Sequence, residues 1–316
     1  MKQYLAFMMA VVMVFSLLAV YAVAEETATP EISIVPAEWN QPADHQGRVE
    51  TFEYTNGSDI KTAYVYVPYG YDESPDMRYN ILYFMHGGGG WAGQFYNRSY
   101  ALNDILDHAI ESGKIAPLIV VTPSFYPSED SDSSVSNAAG LVSIFHEEFL
   151  HDLMPAVETH YRTWAESGKE TDLEASRDHR AFGGFSMGSV TTWYQFLNSL
   201  DKVHYFLPFS GDCWILSQMG GRNQSEATAS YLADYASNHP YRDTFYIYAM
   251  TGGEDIAYDA MSGQVEAMRQ KDAFQFGRSP ADGNISFGIL PGATHDYTYY
   301  RNYIYSALMA IWPAAQ

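Results

Sequence analysis

The stretch that most constrains this 316-residue chain is Gly184-Phe185-Ser186-Met187-Gly188, one complete G-x-S-x-G. An apolar run from Ala181 to Phe185 leads into it, and Val190, Trp193, Tyr194 and Leu197 follow at helical spacing. Strand, serine, helix is the context of a nucleophile elbow: a strained turn pushes the hydroxyl outward, and glycines two residues to either side remove Cβ atoms that would clash. A random chain with 24 glycines in 316 residues holds roughly 0.15 such motifs. Its partners must therefore give the motif its meaning.

Around the elbow, apolar runs alternate with amphipathic segments. The spacing predicts strands over Glu31 to Trp39, Val49 to Tyr54 and Thr62 to Pro68, the last two joined by a turn at Asn56-Gly57-Ser58-Asp59. Buried strands are expected at Ile81 to Met85, Leu118 to Thr122, His204 to Phe209, Phe245 to Met250 and Ile285 to Leu290. Helices are expected at Leu102 to Ile110, Leu141 to Tyr161 with a kink at Pro155, Met261 to Gln270 and Tyr299 to Ile311. Such alternation implies an α/β chain, with a mostly parallel central sheet and helices on both faces. Residues 215 to 236, polar and small, read as an insertion bordering the site.

Active groups in such sheets gather at the carboxyl ends of strands. Four ends carry suitable chemistry: the glycine loop His86 to Gly90, Ser186, Asp255 and His295. Glycine loop, serine, acid, histidine is the chain order of the α/β-hydrolases. Ser186 needs a base, and His295 offers an imidazole that titrates near neutral pH. Asp255 would orient that base, with Glu254 as a competitor for the role. Backbone N–H groups of Met187 and Gly88 are candidates for an oxyanion hole, worth about 3 kcal/mol per donor. His86, beside the glycines, reads as structural, with a second catalytic base as the alternative. Trp91, Tyr126 and Trp214 are candidates for a flat aromatic slot in the site.

Other motifs exclude chemistry. His146 and His151 lie five residues apart, about 140° out of line on a helix, whereas a zinc-protease helix needs a spacing of four. The acidic loop Ser128 to Ser134 lacks the fixed glycine and final glutamate of a calcium-binding EF-hand. No metal or organic cofactor is called for. A net charge of −21 disfavours nucleic acid and anionic membranes as partners. Cys213 is the only cysteine, so no internal disulfide can form. Lys2, the apolar run Leu5 to Val20 and Ala22-Val23-Ala24 predict a secretory signal peptide over residues 1 to 24, with cleavage after Ala24 and a single α/β domain over 25 to 316. An uncleaved membrane anchor is the alternative.

Across nearly the whole mature chain the sequence resembles carbohydrate esterase family 1, the feruloyl and acetylxylan esterases of the esterase D group. The resemblance is carried by Tyr83 to Gly89, Glu148 to Pro155, Arg180 to Gly188, Ser210-Gly211-Asp212, Gly253 to Tyr258 and Pro291 to His295. It implies an α/β-hydrolase fold, with Ser186 as nucleophile, Asp255 as acid, His295 as base and Trp214 near the acyl group. It also implies cleavage of hydroxycinnamoyl (feruloyl) esters on plant cell-wall xylan, or of small phenolic esters, by a secreted serine esterase. An acetylxylan esterase or acyltransferase remains open within that fold. A sugar-binding protein without catalysis is the alternative from another class.

Overall fold

The computed structural model describes residues 29–128 and 130–315; the signal peptide expected over residues 1 to 24 lies outside them. Eight strands build one sheet: β1 (Arg48–Asn56), β2 (Asp59–Val67), β3 (Asn80–Met85), β4 (Leu118–Thr122), β5 (Arg180–Phe185), β6 (Tyr205–Phe209), β7 (Tyr246–Gly252) and β8 (Ile285–Leu290). Their spatial order is β1-β2-β4-β3-β5-β6-β7-β8. Strands β1 and β2 form an antiparallel hairpin closed at Asn56 and Asp59, where Gly57 takes a φ of 60° that the tight turn requires. Strand β2 runs antiparallel to β4, and every later pairing is parallel.

Nine α-helices lie among the described residues: α1 (Leu102–Glu111), α2 (Val135–Glu148), α3 (Met154–His160), α4 (Glu170–Ala175), α5 (Met187–Phe196), α6 (Gly220–Asn223), α7 (Ser225–Asn238), α8 (Tyr258–Met268) and α9 (Tyr297–Ile311). Parallel strands buried on both faces need cover on both. One core packs α2, α3, α5, α7 and α8 on one face through residues such as Val142, Phe149, Trp193, Leu232 and Met261. The other packs α1 and α9 on the opposite face through Leu102, Leu106, Tyr300 and Ile304. This is the mostly parallel sheet, helical on both sides, that the sequence implied. No helix among the described residues is long and apolar enough to cross a membrane.

Two sequence expectations need correction. Glu31 to Trp39 is not a strand: Pro36 begins a 3-10 turn at Ala37–Asn40, which buries Trp39 against His108 and Tyr305. The backbone N–H groups of Ser33 and Val35 donate to Ser306 Oγ and Asn302 Oδ1 of α9, so no sheet partner is needed. The helix expected over Leu141 to Tyr161 starts earlier, at Val135, where the Ser134 hydroxyl accepts from the Asn137 N–H. Its irregularity is a π-helical turn at Phe149–Leu153, one turn before Pro155, because the proline ring displaces the backbone behind it. Residues 215 to 236 are largely helical, and small residues let them pack closely. A Cβ on Gly221 would meet the Ala260 carbonyl oxygen at 2.1 Å.

A buried ion pair ties the sheet to its helices at the end opposite Ser186. Arg180, at the start of β5, donates to Glu158 of α3 at 2.5 and 2.8 Å, and both side chains are 1% exposed. The remaining guanidinium donors reach Leu173 O, Lys202 O and Ser176 Oγ. Tyr83 and Thr163 donate to the same carboxylate at 3.2 and 3.0 Å. Glu158→Ala would leave the guanidinium buried and uncompensated. We expect it to cost about 3–5 kcal/mol of unfolding free energy, read by urea denaturation.

Candidate active site

The elbow forms where β5 turns into α5. Ser186 has φ 59° and ψ −117°, a strained conformation for a residue with a Cβ. Its N–H donates to Phe209 O at 2.9 Å, and its carbonyl accepts from the N–H groups of Ser189 and Val190. A Cβ on Gly184 would lie 2.6 Å from the Gly188 backbone, and one on Gly188 would lie 2.2 Å from Met85 O. Only glycine fits either place.

Ser186, His295 and Asp255 come together although β5, β7 and β8 are far apart in sequence. His295 Nε2 is 2.8 Å from Ser186 Oγ, and its Nδ1 is 2.7 Å from Asp255 Oδ1. An ionised carboxylate can only accept, so Nδ1 carries the proton in this network and Nε2 presents a lone pair to the serine hydroxyl. The Asp255 side chain is fully buried and also accepts from the Ala257 N–H at 2.7 Å. Glu254 is exposed. The carboxylate in contact with the histidine is therefore Asp255.

The glycine loop after β3 is braced from two sides. Gly87 N–H donates to the Tyr297 hydroxyl at 2.5 Å, and Gly89 N–H to the Tyr126 hydroxyl at 3.1 Å. His86 is buried, donates from Nδ1 to Gly87 O at 2.7 Å and accepts at Nε2 from Ser124 Oγ at 2.8 Å. Burial, ahead of the nearby Lys61 charge, pushes its pKa down to about 4. It is a neutral prop for the loop, with both ring nitrogens engaged away from Ser186. Gly88 N–H has no protein acceptor among the described residues. A Cβ on Gly88 would lie 3.3 Å from Met187 Cγ, so the two proposed oxyanion donors come from adjacent segments.

In front of Ser186 opens a cavity of about 520 Å³. Its walls include Val135, Val190, Trp214, Met219, Ile256 and Tyr297, a largely apolar set. Trp214 is fixed there: its indole N–H donates to Asp212 Oδ1 at 3.0 Å, while Asp212 Oδ2 accepts from the Gly221 N–H at 2.7 Å. Burial raises the Asp212 carboxyl above its ordinary range. Trp91 and Tyr126, expected in the same slot, do not line it. Both line a neighbouring groove instead, Trp91 exposed and Tyr126 buried beneath the glycine loop. Sequence reasoning missed Tyr297, Met219, Val135 and Ile256. Only Tyr297 had a signal, as the first aromatic residue after His295.

The two remaining motifs stay apart from this site. His146 and His151 each approach Glu147, with one side chain 17% and the other 72% exposed. In the acidic loop, Asp132 accepts from the Ser134 N–H and hydroxyl just ahead of α2.

Fold and site together define an α/β-hydrolase, and the chain is a carboxylic ester hydrolase. It belongs to the family described as "Putative esterase", which matches residues 56–311. The chain is 41% identical over 273 residues to endo-1,4-beta-xylanase Y of Acetivibrio thermocellus, a match covering 86% of this chain and 24% of that protein. It is 27% identical over 168 residues to an endo-1,4-beta-xylanase/feruloyl esterase of Xylanibacter ruminicola, covering 52% and 21%. The chain thus spans about a quarter of the length of these curated relatives. Among solved structures, it superposes with a TM-score of 0.80 on a serine-to-alanine mutant of the feruloyl esterase module from Clostridium thermocellum complexed with sinapinate. Identity there is 39%, covering 89% of this chain and 94% of that one. The resemblance read from the sequence is thereby upheld.

His86 makes stability depend on pH. Its folded pKa of about 4 lies below the ordinary 6.5, so between those values the unfolded chain binds a proton that the folded chain does not. Its contribution is complete above the higher value and is lost as pH falls toward the lower. In urea titrations across this window, His86→Gln should have a shallower dependence than the wild type, by up to about 1.4 kcal/mol per pH unit.

Proposed function

We propose that the chain is a serine esterase releasing hydroxycinnamic acids, such as ferulate, from sugar esters of plant cell-wall xylan. The observation that carries this reading is the hydrogen-bonded series Ser186, His295, Asp255 opening on an apolar cavity walled by Trp214. A cavity of about 520 Å³ exceeds what an acetyl group needs and suits a phenolic acyl group. The likeness to a feruloyl esterase module complexed with sinapinate supports the same choice.

In this mechanism His295 Nε2 takes the proton of Ser186 Oγ as the oxygen attacks the ester carbonyl carbon. The Gly88 and Met187 N–H groups stabilise the resulting oxyanion, and Asp255 stabilises the imidazolium. Collapse breaks the bond to the sugar oxygen, which leaves with the proton from His295. Water then adds to the acyl-serine with the same base, and the free acid departs as Ser186 regains its proton. Export through the apolar leader forms part of the proposal, and N-terminal sequencing of the mature protein, expected to begin at Glu25, tests it.

Loss of ultraviolet absorbance on cleavage of methyl ferulate, run beside an acetyl ester, tests the activity. Wild type should turn over the ferulate, and Ser186→Ala should lose at least about 10⁴-fold in kcat. No turnover of either ester by wild type would sink the enzyme reading, and an active Ser186→Ala would sink the nucleophile. Asp255→Asn should drop kcat by about 10³-fold or more, while Glu254→Gln should stay within about twofold. The reverse pattern would exchange their roles.

A further inference from the structure

Beside the cavity in front of Ser186 lies a second one that the acyl group does not need. It measures about 400 Å³ and shares Gly89 and Ser133 with the first, so the two adjoin at the glycine loop. Their walls differ in kind. The first is largely apolar, whereas the second presents the Trp91 indole and Tyr64 ring among the hydroxyls of Thr62, Ser128, Ser131 and Ser133.

Trp91 is 41% exposed yet held in place. Its ring stands edge-on to Tyr64 with centroids 5.9 Å apart, and its N–H on the backbone donates to Gln94 Oε1 at 3.1 Å. The indole lies against Gly93, where a Cβ would meet an indole carbon at 2.2 Å. A large exposed aromatic ring fixed in advance loses little freedom when a ligand covers it. Its negative face suits the C–H face of a sugar, and the surrounding hydroxyls suit the sugar's own.

An ester extends in two directions from its carbonyl carbon. Gly88, the candidate oxyanion donor, directly precedes Gly89, which forms the wall common to both cavities. We propose that the second groove is the subsite for the sugar that carries the ester, with Trp91 as its stacking platform. The inference rests on the feruloyl-ester reading and extends it to the alcohol half of the substrate.

The test compares methyl ferulate, which has no sugar, with a feruloylated arabinoxylan oligosaccharide. Trp91→Ala should raise KM for the oligosaccharide ester about tenfold and leave kcat/KM for methyl ferulate within about twofold, which also shows that the variant is folded. Trp91→Phe should recover most of the loss. Thr62→Arg, on an exposed position of β2, should narrow the groove and impair the oligosaccharide ester alone. Equal losses on both substrates, or none on either, would overturn the subsite. A further arm separates it from the parent reading: tryptophan fluorescence should report binding of the unesterified oligosaccharide to wild type and its loss in Trp91→Ala. Were wild type inactive on both esters, the feruloyl reading would fall while this arm still judged the groove, and absence of binding would overturn it.

Discussion

The site depends on how closely α5 approaches β3. The Met85 carbonyl oxygen lies where a side chain on Gly188 would begin, with only 2.2 Å available to a Cβ. This contact brings the first turn of α5 up to the end of the neighbouring strand and sets the Met187 N–H beside the glycine loop that follows β3. The same crowding fixes Ser186 at positive φ, because the chain must reverse from strand to helix within one residue. The backbone strain of order 1–3 kcal/mol at such a residue persists because the surrounding sheet over-determines it.

Around this contact the protein separates charge from oil. Arg180 and Glu158 are buried at the beginning of β5, six residues and the full length of the strand from the serine. At the other end the buried carboxyl groups are Asp255, held by His295 and the Ala257 N–H, and Asp212, held by Trp214 and Gly221. Between them, Gly183 and Gly184 run past Leu207 and Gly188 with no room for side chains. The glycine loop has no side chains of its own to fix it, so aromatic residues from elsewhere do so. Tyr126 from the loop after β4 and Tyr297 at the start of α9 accept its N–H groups, and His86 stacks on Tyr126 at a ring angle of 16°.

The wall of the cavity beside Ser186 follows from the same division. Asp212 is buried, and it spends both carboxylate oxygens on Trp214 and Gly221, which locks an aromatic wall beside Ser186 and ties it to α6. The region that reads as a polar insertion in the sequence is therefore a support for the cavity. Its short polar residues are compatible with close helix packing, and Met219 just ahead of α6 reaches the cavity wall.

The sequence by itself determined the strands, their mostly parallel arrangement and the order of glycine loop, serine, acid and histidine. Those features are written in local patterns: apolar runs of strand length, glycines at an elbow and polar residues at strand ends. It put Trp91, Tyr126 and Trp214 in one slot, of which only Trp214 lines the cavity at Ser186, since which cavity an aromatic ring enters depends on segments distant in the chain. It preferred Asp255 to Glu254 through order and resemblance alone, while the directions of these adjacent residues are set by the turn after β7 and its contact with Ala293. The misread segment Glu31 to Trp39 shows the same limit, for its backbone is satisfied by side chains more than 260 residues away on α9. Only the tertiary structure decided these matters, because long-range packing, and not local propensity, chooses which hydrogen-bond partner each of these groups meets.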